Sequence, residues 1–392
     1  MPWSSASLMD LKTQFIADYL RRALSLTELC VRYNVSRKTA YKWINRYCSE
    51  GAPGLEDRSR RPRSSPRQTS DVVRSAVVEL RLRHPTWGAD KLLATLRARD
   101  PDLSLPSRRT ICDILHQAGL IRKRVGSRKR GHPGKPTLQP DAPNQLWCVD
   151  FKGQFLTRDG KYCYPLTITD RYSRFLLACH AMHRISTDET KHVFEGLFRT
   201  YGLPAAIRSD NGSPFASQAI GRLSRLSVWW LRLGIVPDLI EPGKPQQNGQ
   251  HERMHRVLKE ETTRPVGDDL VDQQRLFDAF RDEYNDLRPH QGIGWQTPAS
   301  LFVPSATPLP AAIEPFCYPP HFTTRLVSKN GGFRWGSIRV PLSTTCEGLH
   351  IGLEEITHGE WDVWLGPKKL GRFLEDKLRI EDHLGQLRRR HV

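Results

Sequence analysis

The heptapeptide QLWCVDF at residues 145–151, followed by SDNGSPF at 209–215 and by NGQHER at 248–253, decides how this chain folds. In the first, four apolar residues run straight into Asp150. In the second, the short run AAIRS at 205–209 runs into Asp210. A buried strand that stops at an aspartate holds the carboxylate rigidly at a sheet end, where a hard cation can be bound. The third string opens a helix over 247–261 that carries Glu252.

Around these points the pattern is that of an α/β unit. Residues 147–151, 162–169 and 175–181 read as strands, and 187–201 reads as an amphipathic helix capped by Thr187 or Asp188. Residues 206–209 and 234–240 are further short strands. Strands that first follow one another and then alternate with helices predict a mixed sheet covered by helices. After a proline-rich connector over 303–322, residues 323–382 give short strands separated by NGG, HG and GP turns, so a small β-barrel-like domain is expected.

Upstream, the chain is helical and basic. Of the net charge of +18, residues 1–136 carry +16, with 28 Lys and Arg against 12 Asp and Glu. A field of that sign attracts a polyanion and releases its counterions. Residues 8–50 contain a helix-turn-helix pattern in which Leu29, Tyr33, Val35, Ala40 and Trp43 pack two helices together. Asn34 falls at the turn, where a left-handed residue is needed. Ser36 caps the second helix, leaving Arg37, Lys38, Tyr41 and Lys42 to face DNA. A basic linker spans 51–70 and a second helix-turn-helix-like domain spans 71–124. Its capped helix SRRTICDIL at 107–115 offers Ser107, Arg108 and Arg109, and a further basic linker covers 125–144. The plainer readings are an ordinary surface helix pair and solvated linkers.

Eight scattered cysteines with no CxxC pair argue against a zinc finger or a disulfide scaffold and for a reducing cytoplasm, nucleoid-associated if the source is bacterial. The start, MPWSSASLMDLKTQ, lacks the pattern of a secretory leader, and no apolar run reaches membrane-spanning length, so no membrane partner is expected. No GxxxxGK[ST] loop is present, which leaves a nucleotide cofactor without support.

Singly, each acid has an ordinary explanation: an aspartate before Asn-Gly makes a turn, and a helical glutamate is solvated. Together, the strings at 147–153, 209–215 and 242–253, with DRYSRF at 170–175, YNDLRPH at 284–290 and Thr297-Pro298, resemble insertion-sequence DDE transposases with a retroviral-integrase-type core. The likeness extends upstream to the helix-turn-helix and to GLEDRSRRP at 54–62, and is strong over 145–302. It implies an RNase H-like core with Asp150, Asp210 and Glu252 as the catalytic and metal-binding triad, holding two Mg²⁺ for which Mn²⁺ can substitute. It also implies that Lys259 and Arg256 meet DNA phosphate, that Asn211 or Asn248 shapes the site, and that the chain self-associates on double-stranded transposon ends and target DNA as a dimer or higher multimer.

The implied activity is metal-dependent cleavage at transposon ends followed by transfer of the 3′-hydroxyl into target DNA. A nuclease of the same fold without strand transfer, and a non-catalytic DNA-binding regulator, stand as alternatives. Forty-one residues separate Asp210 from Glu252, and the stretch 217–233 reads as an inserted helical segment lying outside the sheet. On α-helical spacing His255 and Arg256 share the face of Glu252. Glu241 competes for the third acid and Asp170 for the second.

Overall fold

Serine caps start most of the helices of the N-terminal third. In the computed structural model, which describes residues 7–59, 68–121, 139–241 and 249–382, Ser7 and Ser25 form reciprocal capping boxes with Asp10 and Glu28. They open α1 (Leu8–Arg21) and α2 (Leu26–Arg32), and Ser36 caps α3 (Arg37–Glu50). Each such cap is worth about 1 kcal/mol to its helix. Asn34 takes φ 49° at the turn, as the sequence requires, and Leu29 and Ala40 are fully buried between the helices. Residues 1–68 form one compact unit.

The second unit, residues 69–392, begins with α4 (Asp71–Arg83), α5 (Ala89–Arg99) and α6 (Arg108–Gln117), closed around Trp87, Leu92 and Ile111. Ser107 caps α6 as expected. Of the two basic linkers, residues 60–67 and 122–138 lie outside the described residues.

The mixed sheet follows. Strand β1 (Leu146–Phe151) pairs antiparallel with β3 (Tyr162–Asp170), which pairs with the short β2 (Phe155–Leu156) and with β4 (Leu176–Met182). On its other side β1 runs parallel to β5 (Ala206–Ser209), and β5 runs parallel to β6 (Val236–Leu239). Period-two alternation sorts the side chains. Trp147, Val149, Leu166, Ile168 and Ile207 enter one apolar layer with Phe194 and Phe198 of α7 (Thr187–Tyr201) and Trp230 of α8 (Arg225–Arg232). Cys148, Asp150, Thr167, Thr169 and Arg208 occupy the alternate positions of the same strands. That face is covered by α9 (Gly249–Thr262) and α10 (Leu270–Asp282), through Met254, Leu258, Phe277 and Phe280. The α7 cap is Ser186, one residue before the expected Thr187, because its Oγ reaches the Glu189 amide.

The inserted stretch 217–233 is helical and lies outside the sheet, as expected, and it is packed between two apolar clusters. Leu226 and Trp230 enter the core layer, while Ile220, Leu223, Val228 and Leu231 join a second apolar cluster with Val327, Phe333, Ile351 and Phe373 of the C-terminal domain. A helix apolar on two faces must be buried between two partners.

The expectation of a β-barrel-like C-terminal domain is corrected: among the described residues it is not a closed barrel. It is an open antiparallel sheet with the order β13 (Arg379–Glu381), β12 (Lys368–Leu374), β11 (Glu360–Leu365), β10 (His350–Thr357), β7 (Thr323–Leu326), beside a hairpin of β8 (Gly332–Trp335) and β9 (Ile338–Pro341). The apolar face that closure would have buried is covered by the hairpin and by residues 220–231, so its edges need not meet. The connector 303–322 holds no strand or helix and lies along the core, where Ser305 and Thr307 bond the backbone of Tyr201 and Leu203.

Candidate active site

Because Cys148 is level with Arg208 in the parallel β1–β5 pair, two further residues bring Asp150 level with Asp210 at the same end and on the same face of the sheet. The Asp210 carboxylate is held by its own turn, its Oδ1 accepting the Gly212 amide at 3.1 Å. Asn211 donates through Nδ2 to the Ile240 carbonyl at 2.9 Å, tying the ends of β5 and β6. Its buried Oδ1 accepts no hydrogen bond among the described residues. Glu252 sits in the first turn of α9 and is exposed; Arg256 and Lys259, four and seven residues on, share that exposed face. Asn248 lies outside the described residues.

The acids feel one another. Burial first, then the Asp210 charge and, less, Glu252 together push the Asp150 carboxyl up to about 7, against the Phe151 backbone and Lys152, which lower it. Oxygen donors of like charge gathered at one sheet end fit hard divalent cations such as Mg²⁺ rather than zinc. Among the described residues, no group of three His, Cys, Asp or Glu side chains is drawn to metal-coordinating spacing. The three acids thus share a field without forming a closed shell.

The raised carboxyl has a consequence for stability. In the unfolded chain Asp150 ionises near its ordinary value, whereas in the fold it holds its proton to about pH 7. The cost of ionising it therefore accumulates as pH rises between those limits. Asp150→Asn is expected to stabilise metal-free protein at pH 8 by on the order of 1–3 kcal/mol, or several °C in Tm, and to do nothing near pH 4. Melting curves in EDTA at both pH values check this, and a Tm unchanged at pH 8 would contradict the repulsion.

The two rival acids resolve differently. The Asp170 carboxylate is fully buried and accepts from the Asn144 amide and from the Ser173 amide and hydroxyl, all within 2.8 Å, so it builds the turn after β3. Glu241 is exposed just after β6.

Two residues unforeseen in their roles are His251 and His255. On the inward face of α9, their rings reach Thr167 of β3, each Nε2 at 2.6 Å from its Oγ1. Burial depresses both imidazoles, His251 to about 3, so both are neutral. The signal in the sequence is the i, i+4 spacing of the two histidines. His255 does not share the exposed face of Arg256, as helical spacing from Glu252 predicts; it turns to the sheet.

Of the expected DNA-facing residues, Ser36, Arg37, Lys38, Tyr41 and Lys42 are exposed on α3, Ser36 serving as its cap. Arg37 donates to Thr27 Oγ1 and Lys42 lies over the Trp43 ring. On α6, Arg108 pairs with Asp90 at 2.9 Å and Arg109 with Asp113 at 3.6 Å, both exposed. No helix among the described residues is long and apolar enough to cross a membrane.

Several known proteins and protein families are similar to this chain. An Integrase core domain family matches residues 140–245 and a second of the same description matches 233–298. A Helix-turn-helix domain family matches 11–63, and a Homeodomain-like domain family matches 39–115. The chain is 25% identical over 240 residues to the insertion element IS407 uncharacterized 31.7 kDa protein of Burkholderia multivorans, covering 61% of this chain and 83% of that one. It is 27% identical over 238 residues to the insertion element IS476 uncharacterized 39.2 kDa protein of Xanthomonas euvesicatoria, covering 60% and 66%. A Gag-Pol polyprotein of avian reticuloendotheliosis virus is 34% identical over 159 residues, which are 38% of this chain and 13% of the polyprotein. Among solved structures, the catalytic core domain of HTLV-2 integrase in complex with magnesium superposes with a TM-score of 0.33 at 17% identity, over 42% of this chain and 99% of that one. A simian T-cell lymphotropic virus intasome chain gives 0.36 at 17% identity, over 75% and 97%.

Proposed function

We infer, from a chain that carries an integrase core domain behind helix-turn-helix DNA-binding domains and is similar to insertion-element proteins, that it is a DNA transposase of the DDE type. The reaction is metal-dependent cleavage at the transposon ends and transfer of the freed 3′-hydroxyl into target DNA. The observation that carries this reading is the level placement of Asp150 and Asp210 at adjacent strand ends, in one electrostatic field with Glu252. Asp150, Asp210 and Glu252 would hold two Mg²⁺, which supply charge neutralisation at the phosphodiester and lower the pKa of the attacking oxygen.

The chain's own residues do the rest. Arg256 and Lys259, on the exposed face that Glu252 occupies, would hold DNA phosphates on either side of the bond to be broken. Asn211 keeps the ends of β5 and β6 together and so fixes where Asp210 points. The exposed face of α3 would read the transposon end, with the 71–124 helices as a second contact and the C-terminal sheet as a further DNA support. Two ends must be joined in one event, so the working form would be a dimer or higher multimer on DNA.

The test is joining of a labelled duplex, taken from the DNA flanking the gene, to a plasmid in the presence of Mg²⁺. Joined product supports the transposase. Cleavage without joining supports the nuclease, and sequence-selective binding alone supports the regulator.

The recognition helix makes its own prediction. Lys38→Ala combined with Lys42→Ala should weaken binding to the end duplex at low salt and shrink the salt dependence of log K by about 0.9 for each phosphate no longer neutralised. Both side chains are exposed, and losing the Lys42 contact with the Trp43 ring costs about 0.5–1 kcal/mol at an exposed site, so the helix-turn-helix should stay folded. Equal salt slopes by fluorescence anisotropy would remove this face from the interface.

A further inference from the structure

The acid-bearing helix α9 is anchored in two ways. Its middle packs through Met254 and Leu258 on Cys163, Leu176 and Cys179, an apolar contact that fixes distance but tolerates sliding. Its first turns, which carry Glu252, meet the sheet through His251 and His255, with 2% and 5% of their surface exposed. Both converge on one atom, the fully buried Thr167 Oγ1, which also donates to the Asp150 carbonyl at 3.0 Å.

A hydroxyl has one proton and two lone pairs. With its proton on the Asp150 carbonyl, Thr167 can only accept from the two rings, so each histidine must carry its proton on Nε2. That leaves both Nδ1 atoms bare. His251 Nδ1 lies 3.0 Å from Thr169 Oγ1, which donates to it, while His255 Nδ1 faces Asp150 Oδ2 at 3.8 Å. Every donor in the cluster is matched to an acceptor, a condition that makes a buried polar network rigid. Directional bonds set register where apolar contact does not, and a small slide of α9 would change the separation of Glu252 and Asp150.

We propose that Thr167, His251 and His255 form a positioning clamp that holds the Glu252 helix in register with the Asp150 strand and so sets the metal affinity of the acid triad. The clamp rests on the reading of those acids given above. It predicts that an isosteric loss of the hub hydroxyl weakens metal binding without unfolding the protein.

The experiment compares full-length wild type with Thr167→Val and Thr167→Ser. Thr167→Val is expected to weaken Mg²⁺ binding, measured by calorimetry on DNA-free protein, by about 10–100-fold, the usual range for an outer-shell partner. The Mg²⁺ concentration needed for half-maximal joining should rise in parallel and the rate should partly recover at saturating Mg²⁺. Thr167→Ser should stay within about twofold of wild type on the same scale.

If Thr167→Val does not fold, His255→Gln against His255→Leu replaces it, since the glutamine amide can restore one donor; Gln should bind metal better than Leu. Equal metal affinity in Val and wild type, or equal damage by Val and Ser, overturns the clamp. Failure of the transposase reading is separable. If the wild type neither binds metal nor joins DNA, ¹⁵N resonances of selectively labelled histidine still decide the network. Both rings carrying Nε2–H in wild type, disturbed in Thr167→Val, keep the network but remove its metal role, whereas a ring in wild type whose Nε2 is bare toward Thr167 overturns it.

Discussion

Glu252→Gln is expected to lower joining of an end duplex to a plasmid by at least ~10²–10³-fold, the scale seen when one charge-stabilising group is removed from a reacting centre. The substitution keeps shape and removes charge. Glu252 is exposed and, among the described residues, its side chain makes no hydrogen bond or ion pair, so Tm should hold. DNA binding should hold as well, because the proposed reading assigns it to the helical units and to Arg256 and Lys259 rather than to this carboxylate. Asp150→Asn should lose activity on the same scale while melting higher at pH 8, so stability and function move in opposite directions at one residue. Joining by Glu252→Gln at the wild-type rate would remove Glu252 from the site and return Glu241 to consideration.

Arg288→Ala should be among the most destabilising single changes in the second unit. Its side chain is 2% exposed and both Glu261 oxygens lie 3.0 Å from its Nη1; Thr86 Oγ1 also donates to Glu261, and His84 Nδ1 stands 2.9 Å from Glu283. Glu261 closes the same helix that Glu252 opens, and residues 84–86 leave α4, so this cluster joins the 71–124 helices to the core. Removing one partner of a buried pair typically costs about 3–5 kcal/mol, because the other charge is left without compensation. Lys91 offsets part of the loss. Its ammonium, pushed down to about 7 by burial and by the Arg288 charge, regains its proton more readily once the guanidinium is gone.

A fall in Tm of roughly 5–10 °C is therefore expected. Replacing both partners, as Arg288→Met with Glu261→Leu, should recover most of it, since apolar groups of similar volume need no counter-charge. A double variant no better than the single one would show that packing, not charge, dominates there.

The sequence by itself determined what depends on neighbours along the chain. Serine caps, the left-handed Asn34, strand alternation and the acids at strand ends are local, and local rules fixed the helix-turn-helix, the order of the core elements and the face on which Asp150 lies. Parallel pairing of 146–148 with 206–208 then made Asp150 and Asp210 level, a fact that needs tertiary register but only one pairing. What the tertiary structure alone decided are relations between elements far apart in sequence. These are the burial of the 217–233 segment between two cores, the open C-terminal sheet, and the pairing of Arg108 with Asp90. The inward turn of His255, which Arg256 does not follow, belongs with them. Helical periodicity gives the angle between residues on one helix but not which angle faces the sheet. That phase is set by what is packed beneath, here two threonines of β3 whose hydroxyls meet the histidine face.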